Sequence, residues 1–240
     1  MPGRTAIALL PGVTCLGTIA GGWYLPQLWG APGMLVKLDA DLSVMFGTQL
    51  FLRKQFLDPV TNAGLEKAVR TRATAQPGVK VSNTGGWQSE PDLFDWQEPE
   101  VSKLAAELDR AIQQFVSFGQ AAPVRLNIRR AGWANVNRAG DYNSLHNHPQ
   151  QHLAAVYYVK APPPGSLGAS EGLLELRDPR PAAGFNGHTT LFSAYPVRLA
   201  PEPGMLVMFP AFVDHMVHPH HGSDERISLA INIQFADFNT

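Results

Sequence analysis

All eight histidines of this 240-residue chain lie after residue 145, and three of them stand where a metal ion could be bound. His146 and His148 flank a single residue just before an apolar run at 153–160. In an extended segment residues i and i+2 point to the same side, so one ion could take both imidazoles. A polar turn that precedes a strand would show the same spacing.

A third histidine stands far along the chain from this pair. His215 follows the apolar run at 205–210, which predicts a place at a strand end or in the next turn, where a surface histidine would also be found. Imidazole suits iron and several other transition metals, so three such side chains could form one site. The clustered histidines near the C-terminus are interpreted as solvated loop residues: His218, His220 and His221.

Arg226 opens a strand pattern that alternates cleanly from 226 to 235. One predicted face is apolar, and the other carries Arg226, Ser228, Ala230, Asn232 and Gln234. The polar face either meets bulk water or lines a wet cavity. In the second case the guanidinium offers two parallel donors and the Ser228 hydroxyl a third, which together make a receptor for a carboxylate.

From about Leu42 to Phe238 the sequence resembles a little-characterised bacterial family of 2-oxoglutarate/iron(II) oxygenases, in a superfamily that includes prolyl hydroxylases. The matching stretches are Ser82–Ser89, Trp133–Asn137, His146–Pro149, Val156–Val159, Arg177–Arg180 and Phe209–Asn232. The resemblance implies a double-stranded β-helix, or jelly roll. It also implies oxidation of an unactivated C–H bond, typically hydroxylation, in a small molecule or a peptidyl side chain, with dioxygen as co-reactant.

The resemblance assigns roles to the residues singled out above. Fe(II) would be bound by His146, His148 and His215, and the distal carboxylate of 2-oxoglutarate by Arg226 and Ser228. Asn232 and one of the neighbours Tyr157 and Tyr158 would touch the cosubstrate, since adjacent strand residues face opposite ways. Asn135, Asn137 and Trp133 are candidates for the substrate wall or for support of the ligands, although the two asparagines could equally lie on a strand-edge surface.

One position departs from the superfamily pattern. The second metal ligand is usually an aspartate or glutamate, and His148 stands there in this chain. A site of three histidines carries one negative charge fewer, although imidazole still suits iron. Asp141, five residues before His146, could instead supply a carboxylate from a bent loop.

Composition limits the partners that the chain is expected to have. Nineteen lysines and arginines against 20 acidic residues give a net charge of −1, which predicts no nucleic-acid or membrane partner. The single cysteine, Cys15, excludes a disulfide within the chain. Prolines interrupt the uncharged N-terminal stretch before it could span a bilayer. A cytoplasmic enzyme is expected, with a small-molecule or peptide substrate, and a homodimer is allowed.

The patterns predict a mainly β protein with flanking helices and a jelly-roll core. We expect an apolar extension at 1–40 and a single oxygenase domain at 41–240, with mixed helical support at 41–120 and the jelly roll at 121–240. The strongest helix pattern covers 98–118, a weaker one covers 62–72, and 74–96 is predicted as an ordered loop.

Two other functions fit parts of the same pattern. A cupin-like barrel can hold a metal on three histidines and act without 2-oxoglutarate. A jelly roll that has lost turnover could serve as a non-catalytic binding module. Arg226 and Ser228 argue against the first, and the full set of candidate ligands argues against the second.

Overall fold

The computed structural model describes residues 47–118, 126–162, 172–181 and 196–236. The helices are α1 (Pro59–Ala75) and α2 (Pro99–Ser117), with a short 3-10 turn at Leu93–Asp95. The early strands are β1 (Phe51–Arg53), β2 (Asn83–Thr84), β3 (Trp87–Gln88), β4 (Asn127–Asn137) and β5 (Tyr142–His146). The later strands are β6 (Leu153–Lys160), β7 (Leu174–Leu176), β8 (Val197–Leu199), β9 (Leu206–Pro210), β10 (His215–Val217) and β11 (Arg226–Ala236).

The strands form two antiparallel sheets that face each other. The larger sheet has the order β1-β9-β6-β11-β4-β3, and the smaller has the order β2-β5-β10-β7-β8. Buried side chains from both sheets meet between them, among them Tyr158 and Phe209 of the larger sheet and Leu174 and Val217 of the smaller one. This is the predicted jelly-roll core.

Both helices pack on the outer face of the larger sheet. The buried positions of α2 recur at three or four residues, as an amphipathic helix requires: Val101, Leu104, Leu108, Ala111, Ile112 and Phe115. They join one hydrophobic cluster with sheet residues such as Ile227 and Tyr157. Helix α1 begins at an N-cap, because the Asp58 carboxylate accepts the backbone N–H groups of Val60 and Thr61. None of the helices in the described ranges is long and apolar enough to cross a membrane.

The predicted loop at 74–96 holds two short strands that belong to different sheets. Strand β2 pairs with β5, and β3 pairs with β4. Between them Gly85 and Gly86 adopt positive φ values of 70° and 58°, which side chains with a Cβ rarely adopt. The loop prediction was wrong here because two-residue strands have too few positions for alternation to be visible.

The segment that contains these strands is fixed by hydrogen bonds on both sides. The Val79 N–H donates to the Gln88 carbonyl at 2.9 Å, and the Ser144 N–H donates to the Ser82 carbonyl at 3.0 Å. The Trp87 indole N–H donates to the Gln76 carbonyl at 2.9 Å. Residues 76–90 therefore form a fixed wall that links the two sheets.

Residues 1–40 and Cys15 lie outside the described residues. The division into an N-terminal extension and a single oxygenase domain stays a prediction.

Candidate metal centre

Three histidine side chains converge at one end of the interior between the sheets. His146 ends β5, His148 lies two residues beyond it, and His215 begins β10. Their ring centroids are separated by 4.3 Å (His146–His215) and by 5.1 Å for each of the other two pairs. One ring nitrogen of each lies within 4.8 Å of the other two, and in the described parts of the chain no second group of histidine, cysteine and acidic residues meets this criterion.

A β-bulge aims His146 at this point. His146 pairs with His215 and Asn143 pairs with Val217, so β5 uses three residue steps where β10 uses two. Asn143 and His146 would face opposite ways in a regular strand, yet both line the interior cavity. Bulges re-aim side chains in this way beside many active sites. His146 therefore lies in a bulged strand, as the extended interpretation of this segment required, and the alternative of a polar turn is wrong for His146.

Backbone carbonyls select the ring nitrogen that each of two histidines presents. Nδ1 of His146 lies 2.6 Å from the Ser144 carbonyl oxygen, and Nδ1 of His215 lies 2.9 Å from that of Val213. A carbonyl oxygen only accepts, so each Nδ1 carries the proton and each Nε2 keeps a free lone pair. This arrangement is typical of histidines that bind metals.

The two ligand-bearing loops are joined to each other. The His148 N–H donates to the Ala211 carbonyl at 3.0 Å. The Asn147 side-chain amide donates to Asp214 Oδ1 at 2.8 Å, which links the residues next to His148 and His215. These bonds hold the histidines at their present separation before any metal is bound.

Burial keeps two of the histidines unprotonated. It lowers the pKa of His215 from 6.5 to about 3 and that of His148 to about 4, with smaller contributions from neighbouring histidines. Only neutral imidazole binds a metal ion. At neutral pH these two side chains are therefore ready to coordinate without releasing a proton.

Asp141 does not join the histidines. Its carboxylate accepts the Arg138 N–H at 2.7 Å in the tight turn between β4 and β5, where it lies against Gly85. A turn aspartate that bonds its own backbone is a common device. The alternative in which Asp141 supplies the metal carboxylate is therefore wrong for this structure.

Arg226 is buried on the inner face of the larger sheet with no carboxylate in contact among the described residues. Its side chain is 2% exposed, its Nη1 donates to Ser228 Oγ at 3.2 Å, and its guanidinium lies 5.0 Å from the centre of the Tyr158 ring. Its Nε and the Tyr158 hydroxyl have no partner. A buried cation without a counter-ion is costly, so these donors fit a bound carboxylate.

Tyr158 and Tyr157 face opposite ways, as adjacent strand residues must. Tyr158 lies between the sheets, and burial raises the pKa of its hydroxyl, which therefore stays a neutral donor. Tyr157 faces the helices, where its hydroxyl donates to Asn62 Oδ1 at 2.8 Å. Of the two candidates for contact with the cosubstrate, the structure therefore retains Tyr158 and removes Tyr157.

Asn232 lies far from Arg226 on the same strand face. Six residues of strand separate them, which is roughly 20 Å at about 3.3 Å per residue. One carboxylate cannot contact both, so the expectation that Asn232 shares the cosubstrate site with Arg226 is wrong. Asn232 instead lines a second cleft beside His148, as does Trp133, whose ring centre lies 6.0 Å from that of His148.

Buried polar atoms without partners concentrate on this inner face. The atoms are Gln88 Oε1, Asn135 Oδ1, Asn137 Nδ2, Tyr158 Oη, Arg226 Nε and Asn232 Oδ1. Strand pairing places several of these residues next to one another. Asn135 is opposite both Ser228 and Gln88, and Asn137 is opposite Arg226. Asn135 and Asn137 are 5% and 2% exposed, which excludes a strand-edge surface. Buried polar groups normally have partners, so this face is built to receive a polar ligand.

Gln88 was missed at the sequence level. It lies in the segment interpreted as a loop, and one glutamine there carries no chemical signal of its own. Its place in the matched stretch Ser82–Ser89 was the only available indication. The interpretation of two C-terminal histidines was also wrong, since His220 is 1% exposed and His218 Nε2 lies 2.9 Å from the buried carboxylate of Glu175.

Two spaces adjoin the histidines. An interior cavity of about 40 Å³ runs from His146, His148 and His215 to Arg226 and Ser228. It has room for about three water molecules, so a five-carbon dicarboxylate must widen it. A cleft of about 610 Å³ is also lined by His146 and His148. The two spaces share these histidines, Ser82 and Trp133, whereas Arg226 and Ser228 line only the small cavity.

Comparison with known proteins agrees with this arrangement. Residues 131–232 match the model of a family described as "Putative 2OG-Fe(II) oxygenase". That stretch contains all three histidines, Tyr158, Arg226 and Ser228. No curated protein matches the sequence.

Several solved oxygenases share the fold. A prolyl-4-hydroxylase from Pseudomonas putida superposes with a TM-score of 0.56 at 18% identity, over 78% of this chain and 93% of its own. A Trichoplax adhaerens prolyl hydroxylase, in complex with a hypoxia-inducible-factor peptide fragment, gives 0.57 at 14% identity, over 77% and 83%. HygX from Streptomyces hygroscopicus, with nickel and 2-oxoglutarate bound, gives 0.54 at 11% identity, over 78% and 83%.

The fold is a jelly roll, and the family match over residues 131–232 supports the class of 2-oxoglutarate/Fe(II) oxygenases. The chain is a 2-oxoglutarate-dependent Fe(II) dioxygenase, and the family match together with the three histidines supports Fe(II) and 2-oxoglutarate as its cofactors. The resemblance seen in the sequence is confirmed at the level of this class.

Proposed function

We propose that this dioxygenase hydroxylates an unactivated C–H bond of a small molecule or a peptidyl side chain, with Fe(II) bound by His146, His148 and His215. Arg226 and Ser228 bind the distal carboxylate of 2-oxoglutarate. The observation that carries the assignment is the buried guanidinium without a counter-ion, which faces the same interior cavity as the three imidazoles.

The cofactors supply the oxidising chemistry: with dioxygen, bound Fe(II) and 2-oxoglutarate yield succinate, carbon dioxide and an oxidant able to attack a C–H bond. The residues of the chain bind and orient. The Nε2 atoms of His146 and His215 present lone pairs because carbonyls hold their Nδ1 protons. Ser228 and Tyr158 add hydroxyl donors beside Arg226, which gives a dicarboxylate one orientation in the cavity.

Burial of the cosubstrate end excludes water from this site. Arg226, Ser228 and Tyr158 are each at most 2% exposed, so a carboxylate bound there would be desolvated along with them. Charge-assisted hydrogen bonds are stronger in such surroundings than in water. The open cleft beyond His148 is the side from which a substrate would approach.

The direct test is succinate formation from 2-oxoglutarate by purified protein, with and without Fe(II). We expect succinate only when iron is present, and a clear loss of bound Zn(II) or Fe(II) in His215→Ala. The matched control His221→Ala changes an exposed histidine and should keep its metal. Iron-independent succinate, or full metal content in His215→Ala, would contradict the assignment.

The same measurements separate the two other functions. A three-histidine metalloenzyme of another kind would bind metal and show no thermal shift with 2-oxoglutarate. A non-catalytic binding module would form no succinate under any metal condition. The cytoplasmic location, the homodimer and the absence of nucleic-acid and membrane partners stay predictions.

A further inference from the structure

The open cleft of about 610 Å³ has a lining that differs from that of the cosubstrate cavity. It includes His146 and His148 but neither Arg226 nor Ser228. Part of the lining comes from the segment 76–90, and another part comes from Trp133 and Asn232 of the larger sheet. A space of this size is typical of small-molecule sites and can also accept a peptidyl side chain.

Two carboxamide side chains in this cleft have oxygens without partners. Gln88 is 5% exposed, and neither its Oε1 nor the Oδ1 of Asn232 accepts a hydrogen bond. A buried acceptor without a donor costs about 1–3 kcal/mol, so a ligand that supplies N–H or O–H groups is favoured here. Ligands that only accept hydrogen bonds would leave both oxygens unpaired.

The charge of the cleft is set by a single acidic residue. Glu90 lines it, is exposed, and has no ion-pair partner among the described residues. No lysine or arginine of the described residues lines the cleft. Fe(II), the 2-oxoglutarate dianion and Arg226 together would carry one positive charge, but Arg226 does not line the cleft, and Glu90 is the one Asp, Glu, Lys or Arg side chain among the described residues that does. An anionic substrate would be repelled and a cationic one attracted.

Apolar side chains also line the cleft that contains Glu90 and two of the histidines. Val79 and Val81 lie on the segment 76–90, Pro91 directly follows it, and Trp133 lies beside His148. Such a lining packs against methylene groups rather than against polar atoms. The cleft therefore combines an aliphatic passage, two hydrogen-bond acceptors and one carboxylate.

Resting on the proposed function, we propose that the substrate is a cationic amine with an aliphatic chain. Its methylene groups lie along Trp133 and Val79, its N–H groups donate to Gln88 and Asn232, and its positive charge pairs with Glu90. This chemistry could come from a free diamino acid or from a lysine-like side chain in a peptide.

The test is the binding of a matched set of probes to the full chain loaded with Zn(II) and 2-oxoglutarate, which prevents turnover. The probes are the N-acetyl, N-methylamide derivatives of L-lysine, L-norleucine and L-glutamate, with free L-lysine as a fourth, measured by ligand-observed NMR titration. The lysine derivative should bind about two- to fivefold more tightly than the norleucine one, because exposed ion pairs contribute modestly. The glutamate derivative should bind most weakly.

Substitutions at Glu90 and Gln88 test whether these residues cause the preference for the lysine probe. Glu90→Gln should remove the difference between lysine and norleucine, whereas Asp95→Asn, which changes another exposed carboxylate outside the cleft, should keep it. Gln88→Leu should weaken the lysine and norleucine probes alike by about fivefold or more. Gln88→Glu keeps an acceptor and should retain binding, whereas loss of binding in Gln88→Glu would mean that the amide donates and would overturn the acceptor role.

The remaining outcomes decide the proposal. Equal binding of lysine and norleucine, tightest binding of the glutamate probe, or an unchanged preference in Glu90→Gln would overturn it. Preference for the blocked lysine over free L-lysine would support a peptidyl substrate, and the reverse order would support a free amino acid. If these affinities keep their expected order while succinate formation proves independent of iron, the proposed function fails and the cleft assignment stands.

Discussion

We propose that Arg226 binds the cosubstrate, because it is a buried cation that lines the same cavity as the three histidines. Arg226→Ala removes charge-assisted hydrogen bonds of about 1.5–3 kcal/mol, so the 2-oxoglutarate concentration for half-maximal succinate formation should rise roughly 10- to 150-fold. Metal content should stay unchanged, since the guanidinium contacts no histidine in the site.

The control for this prediction is Arg110→Ala, which removes an exposed arginine on α2. Its requirement for 2-oxoglutarate should equal that of the wild type. An unchanged requirement in Arg226→Ala, in protein whose unfolding remains cooperative, would refute the cosubstrate assignment.

His148 is the residue at which this chain departs from the superfamily pattern. His148→Asp places a carboxylate at the second metal position, where it would restore the usual charge, so we expect metal binding and iron-dependent succinate formation to be kept. His148→Ala removes a ligand and should lose at least tenfold in metal affinity, as judged by competition with a chelating dye. Equal affinities for the alanine variant and the wild type would show that His148 does not coordinate.

At the scale of elements, irregularities in the strands position the site. The β5 bulge turns His146 inward, and the paired glycines between β2 and β3 let one short segment join both sheets. That segment carries Gln88 and one wall of the open cleft. A shift of this turn would therefore displace Gln88 and the part of the cleft lining that the segment carries.

Gly85→Ala tests this dependence on the turn. Gly85 has φ +70°, and a Cβ there would meet the Asp141 carboxylate, so the variant should lose about 1–3 kcal/mol of unfolding free energy. Gly222→Ala is the matched control, because a Cβ at Gly222 meets nothing within 4 Å. Urea unfolding measures both, and equal stabilities would show that the turn tolerates a side chain.

At the scale of the whole molecule, burial of unprotonated histidines couples stability to pH. The pKa of His215 is about 3 in the folded protein and near 6.5 in an unfolded chain. Between pH 6.5 and 5 His215 binds a proton in the unfolded chain but stays neutral in the folded protein. The free energy of unfolding of the metal-free protein should therefore decrease as the pH is lowered. His215 contributes up to about 1.4 kcal/mol per pH unit to this decrease.

His215→Asn removes one of two such groups and should reduce the slope of this part of the profile, to which His148, with a pKa lowered to about 4, still contributes. The window lies above the titration of the paired carboxylates, since the pKa of Glu175 is lowered by its bonds to His218 and Arg198. Unfolding in urea with a chelator present, at pH 6.5 and pH 5, gives the comparison. Identical slopes for the two proteins would show that His215 is not protonated on unfolding in this range.

The sequence by itself determined the parts that depend on residue type and regular alternation. Strand β11 and helix α2 followed from their periodicity, because one face of each must be buried. The three histidines and Arg226 were selected by their chemistry and by a known family order. The class of enzyme followed from them and needed no coordinates.

Tertiary structure alone decided which of these side chains meet. Strand pairing set the bulge that aims His146 and turned Tyr158 inward. It also brought Gln88 from a wall segment to the inner face beside Asn135. These outcomes depend on contacts between residues far apart in the chain, and a local pattern carries no information about partners that only folding brings together.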